Sequence, residues 1–122
     1  MAAAALVLAA CAGSDKEPPI NIPPTNVKND ITSTLSRNLS DPTNIREAAI
    51  SDPARDGNGP YFVCVRYNPR EYGAYAGRRD QIAYFFEGRI NQIVDATPAQ
   101  CGKAVYKPFP ELEKLCQAEK CN

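Results

Sequence analysis

The run Tyr61-Phe62-Val63-Cys64-Val65-Arg66-Tyr67-Asn68 is dense in aromatic and β-branched residues, with Gly59-Pro60 before it and Pro69 after it. Such side chains suit a pleated surface, and proline at both borders stops the run, so it reads as a strand. Two more apolar runs follow, Gln81-Ile82-Ala83-Tyr84-Phe85-Phe86 and Arg89-Ile90-Asn91-Gln92-Ile93-Val94-Asp95, joined by Glu87-Gly88. A short glycine-bearing link between apolar runs is a hairpin signal, weaker with Glu-Gly than with Asn-Gly or Asp-Gly. Between the first two runs, "PREYGAYAGRRD" carries Tyr72, Gly73, Tyr75 and Gly77 and reads as a long turn. The expectation is three strands in an antiparallel meander.

Upstream, Val27, Ile31, Leu35 and Leu39 recur at every fourth position with polar residues between them. This places a narrow apolar stripe on a helix of about three turns, closed at Asp41-Pro42 because proline restricts the residue before it. Thr43 to Ser51 has two readings: a second helix capped by Asp41 with Pro42 at its first position, or an extended strand. Local propensity leans toward helix. Downstream of Pro110, Leu112, Leu115 and Cys116 share one face of a short helix. The fold class is therefore α+β: an N-terminal helix, a three- to four-stranded antiparallel meander sheet, and a short C-terminal helix.

The 122 residues have room for one domain, and a 43% hydrophobic content supplies a core once any tail is removed. Fourteen basic and fourteen acidic residues cancel, which argues against a nucleic-acid partner that needs a basic footprint. The chain has no histidine, so the commonest general acid/base and the commonest metal ligand are both missing.

Residues 2 to 10 are wholly apolar, too short to span a bilayer and too rich in small residues for a core helix. They read as a signal peptide remnant; the missing basic residues before them imply a translation start upstream of Met1. Leu8-Ala9-Ala10-Cys11 resembles the lipobox of bacterial lipoproteins, which implies a diacylglycerol on Cys11 and cleavage before it. The alternative is a buried or disulfide-bonded Cys11. Residues 12–26 are polar, with Pro18, Pro19, Pro23 and Pro24 keeping them extended, and read as a tether reaching up to about 45 Å at roughly 3.1 Å per residue. Residues 27–122 then form the single domain. Ala12, rather than an aspartate, resembles lipoproteins sent to the outer membrane, which implies a periplasm-facing anchor in the bacterial cell envelope.

"LSDPTNIREAAI", "VCVRYNPREYGAYAGRRDQIAYFFEGR" and "CGKAVYKPFPELEKL" are together similar to a group of small alphaproteobacterial lipoproteins with no established activity. The resemblance spans most of residues 35 to 115 and carries over no catalytic residue. It implies a strand at Thr43 to Ser51.

With Cys11 lipidated, Cys64, Cys101, Cys116 and Cys121 remain, an even number in an oxidising compartment. Two disulfides with three possible connectivities follow, and the set lacks the C-x-x-C spacing of a zinc knuckle. Cys64 and Cys101 lie in the segments matched by the resemblance, and a strand-centre cysteine needs a distant partner on its own face; this implies a Cys64–Cys101 bridge. Cys116 and Cys121 then close a small terminal loop, stay free, or bond a partner.

No catalytic constellation is expected. Glu71, Asp80 and Glu87 stand in or beside turns among Arg66, Arg70, Arg78, Arg79 and Arg89, which solvated ion pairs explain. Gly73 and Gly77 lack the lysine and hydroxyl of a phosphate loop, and a Cys64 nucleophile has no histidine base. The reading is a non-enzymatic envelope lipoprotein, without metal or cofactor, that binds an envelope protein through Arg70, Tyr72, Tyr75, Arg78 and Arg79, because Tyr and Arg supply large amphipathic contact area. The plainer alternative is that the tyrosines only close the turn over the sheet edge. A second class is small-ligand or inhibitor-type binding of a peptide, lipid or glycan on the sheet's open face.

Overall fold

The computed structural model describes residues 22–115. Residues 1–10, expected to be a signal remnant, Cys11, expected to carry lipid, most of the expected tether, and Cys116 and Cys121 lie outside the described residues.

Helix α1 spans Val27–Asn38 and buries its stripe as the periodicity predicts, with Ile31 and Leu35 inaccessible and Val27 and Leu39 packed beside them. The chain leaves the helix at the extended Leu39. Asp41 does not cap a second helix. Its carboxylate accepts from the N–H and hydroxyl of Thr43, which hold it below the usual carboxylate range, and the chain turns there into a strand.

The strands are β1 (Arg46–Ser51), β2 (Ala54–Arg55), β3 (Tyr61–Asn68), β4 (Arg70–Glu71), β5 (Ala74–Tyr75), β6 (Arg79–Phe86), β7 (Arg89–Asp95) and β8 (Tyr106–Pro108); α2 (Pro98–Cys101) and α3 (Pro110–Glu113) flank β8. The expected meander β3-β6-β7 is present, and the hairpin turn falls at Glu87-Gly88, both with positive φ. The sheet is larger than three or four strands, however: six strands in the order β7-β6-β3-β1-β8, with β2 also on β3, every pairing antiparallel. The helix order differs as well, because α2 and β8 intervene before the terminal helix.

Each face of the sheet collects alternate side chains. Val63, Val65, Tyr67, Ala83 and Phe85 face α1 and α3, where they pack with Ile31, Leu35, Phe109 and Leu112 into the main core. Cys64 and Ile82 face the other way and meet Cys101 in a much smaller cluster edged by Phe62, Tyr84 and Tyr106. The Cys64–Cys101 disulfide implied by the resemblance is present, with Cα atoms 5.9 Å apart.

Two irregularities decide which residues reach the main core. In β1 the register slips between Arg46 and Ala49, at Glu47 with φ of 54°, so that Ile45 and Ala48, three apart, both point inward. In β7 it slips at Asn91, so that Ile90 and Ile93 do the same. The first bulge is tied down from the far end of the chain: the Ala48 N–H donates to Glu113 Oε2 at 2.9 Å, and the Phe109 N–H donates to the Ala48 carbonyl at 3.0 Å.

Helix α1 is fixed to β7 by one buried carboxylate. Asp30 accepts from Arg89 Nε and Nη2, each at 3.1 Å, and from the Ile90 N–H at 3.2 Å. At the same end of the sheet, Ile22 lies against the β6–β7 turn, 3.3 Å from where a β-carbon on Gly88 would stand. Among the described residues no helix is long and apolar enough to cross a membrane.

Candidate functional site

The turn after β3 is not a loose loop. β4 and β5 form a two-stranded hairpin, pairing Arg70 with Tyr75 and Glu71 with Ala74, with Tyr72 and Gly73 at its tip. Two-residue strands are too short to hold themselves, so the stiffness comes from bracing against the domain. The Tyr75 ring lies between the guanidinium groups of Arg46, at 4.0 Å, and Arg70, at 5.2 Å, and its hydroxyl donates to the Asn44 carbonyl at 2.8 Å. Arg70 Nη2 donates to the Gly73 carbonyl at 2.9 Å, and Gly77 N–H donates to Asn68 Oδ1 at 2.8 Å.

The five residues expected to form one contact patch separate into distinct roles. Tyr75 and Arg70 brace the hairpin. Arg79 is half-buried beneath it, bonded to Glu71 and to the Tyr67 hydroxyl; burial alone would lower its pKa, but these bonds outweigh burial and raise it. Arg78 lies on the disulfide side, sharing Asp80 with Arg66, at 3.4 and 3.2 Å, while Arg66 stacks 3.9 Å over Tyr106. Only Tyr72 projects freely. It is fully exposed and holds a φ of 52°, with Gly73 at 83°. Positive φ at both central residues is the geometry of a type I′ turn, for which asparagine followed by glycine is the comfortable choice and tyrosine is a strained one.

Tyr67 beneath the hairpin has a predictable pH signature. Burial pushes its phenol above the ordinary value, against the opposing pull of Arg79, while the hydroxyl donates to Gln81 Oε1. A raised phenol pKa stabilises the fold fully below the unfolded value of about 10; that contribution is lost as pH rises toward the folded value, because only the unfolded chain ionises there. Urea midpoints measured between pH 8 and 11 should therefore fall on the alkaline side, and Tyr67→Phe should flatten that fall. An equal slope in both proteins would contradict it.

A second feature lies on the disulfide side, where a groove of about 710 Å³ runs between the β2 edge and the segment after β7. Helix α2 forms one wall. Thr97 and Gln100 cap it reciprocally, each side chain bonding the other's backbone N–H, with Pro98 at its first position. This Thr-x-x-Gln capping signature is readable in the sequence, and it seats Cys101 over Cys64. The groove itself has no comparable sequence signal, because its residues come from segments about forty positions apart.

The fold and these two features define a disulfide-stapled α+β domain with a braced hairpin at one end and an open groove on one face. No family model matches the chain, and no curated protein or solved structure matches it either.

Proposed function

We propose that the protein is a bacterial envelope lipoprotein, anchored through lipid on Cys11 and displaying its domain on the proline-rich segment to bind another envelope protein, without catalytic chemistry. The observation that supports this is Tyr72: a large side chain, fully exposed, in a backbone conformation that costs stability, on a hairpin stiffened by contacts that do nothing for Tyr72 itself. Strain retained without a local benefit points to a use elsewhere. A tyrosine on a stiff arm offers contact area at little entropic cost on binding. The location agrees with the reading. The N-terminal segment touches the Gly88 end of the β3–β6 pair, and the hairpin leaves from the Asn68 end, about 25 Å away for an eight-residue strand. The tip therefore stands at the end of the sheet opposite Ile22.

The test uses the full chain, with its native export signal, in a bacterial host. A photo-crosslinking phenylalanine analogue at position 72 should give one dominant adduct, absent when the analogue replaces Asn91. Tyr72→Asn should lose that partner in co-purification while keeping or raising the thermal midpoint, and Cys11→Ser should abolish fatty-acid labelling and membrane pelleting. Undiminished co-purification with Tyr72→Asn would overturn the hairpin as contact element; pelleting of Cys11→Ser would overturn the lipid anchor. A second reading, small-ligand binding on the open sheet face, is favoured by the groove over Phe62 and the disulfide.

A further inference from the structure

The groove exists because β1 ends early. Pro53 cannot donate to the ladder, so pairing with β8 stops at Ser51; β2 resumes beside β3 with its outer edge free. Phe62, half-buried, and the Cys64 side of the disulfide form the floor with Ala104, and Val105, 79% exposed, stands at the rim. Unpartnered apolar surface rimmed by polar groups marks a binding place, and the volume of about 710 Å³ falls inside the roughly 300–1,000 Å³ usual for small-ligand sites.

The walls carry opposite charges, Asp56 on one and Lys103 on the other. Asp52 is paired with Lys107 at 2.6 Å. Asp56, on the β2 side, and Lys103, on the α2 side, make no ion pair among the described residues. An acid on one wall, a base on the other and an aromatic floor between them fit a ligand with an ammonium, a carboxylate and an apolar body. A neutral glycan uses neither charge, and a lipid tail uses only the floor. We propose that this groove binds a short zwitterionic peptide, laid over Phe62 with its amino end at Asp56 and its carboxylate at Lys103. Such ligands are the products of peptide-bond hydrolysis. The site is separate from the hairpin, so its failure leaves the Tyr72 reading standing.

The probe is the tripeptide Ala-Phe-Ala, titrated into the ¹⁵N-labelled full chain, against the same peptide acetylated and amidated at its ends. Saturable shifts should centre on the amides of Phe62, Gln100, Lys103 and Ala104, and the capped peptide should bind about tenfold more weakly. Asp56→Asn should weaken the free peptide about two- to fivefold and remove the preference for a free amine. Lys103→Gln should do the same for the free carboxylate. Both side chains are exposed, so both variants keep the fold. Shifts that do not saturate, shifts centred on the hairpin, or equal affinity for free and capped peptide would each overturn the proposal.

Discussion

Replacing Cys64 and Cys101 together by alanine is expected to lower stability by about 4 kcal/mol. The bridge joins residues 37 apart, and closing a loop of that size removes about that much chain entropy from the unfolded state. The location magnifies the effect. On the α1 side the sheet is covered by a full core, whereas on the disulfide side the buried cluster among the described residues is Cys64, Ile82 and Cys101. Hydrophobic contact alone holds α2 weakly, so without the bridge the chain between β7 and β8 should detach before the sheet melts. The chain has no tryptophan and six tyrosines, so urea unfolding is best followed by tyrosine fluorescence and far-ultraviolet circular dichroism together. Two separated transitions in the double variant, with the native protein showing one, are the expected result. A loss below about 1 kcal/mol with a single transition would mean that packing already holds the segment. Reduction should also abolish peptide binding, because Lys103 and Ala104 would no longer face Phe62.

Asp30→Ala is expected to cost about 2–3 kcal/mol, while Arg89→Gln costs a small fraction of that. Asp30 is 4% exposed and accepts three hydrogen bonds, one from the backbone of β7. Removing it strands the Ile90 N–H under α1 and deletes a link between helix and strand made by a charged acceptor. The Arg89 side chain is 74% exposed, so water replaces most of what it gives, and Arg89→Gln keeps the backbone bond. Arg89 itself is held above its ordinary pKa by the hydrogen bonds to Asp30, so it stays charged throughout the range in which the fold is measured. Equal losses in the two variants would assign the stabilisation to the ion pair and not to the backbone acceptor.

How far the fold was legible depended on whether a segment kept its regular period. Helix α1, strands β3, β6 and β7 and the Glu87-Gly88 turn each show the expected pattern over enough residues to be read. Thr43 to Ser51 did not, for a physical reason. Its core residues are Ile45, Ala48 and Ile50, and the bulge at Glu47 turns an alternating strand into a spacing of three and then two, which imitates a helix. Strand β8 escaped because three residues ending in proline have no room for a period. At the candidate site, the sequence marked the hairpin residues but not their division. Arg79 and Arg78 are adjacent in the chain, yet Arg79 opens β6 and pairs with Glu71, whereas Arg78 lies just before the strand and pairs with Asp80, so they join separate clusters. The groove was not legible at all, since Asp56 and Lys103 meet across it only through the disulfide and the early end of β1.

The opposite positions of the Gly88 turn and the hairpin also have a mechanical meaning. A pull between the N-terminal segment and the Tyr72 tip follows the chain through α1 and β1 into β3, and because Arg46 pairs with Asn68 at the hairpin end, the β1–β3 ladder is loaded from that one end and would open bond by bond. The weak point lies earlier on the load path, where the chain enters α1 and the helix is held to β7 by Asp30. Tension would peel this helix first and expose the main core, leaving the sheet and its disulfide intact.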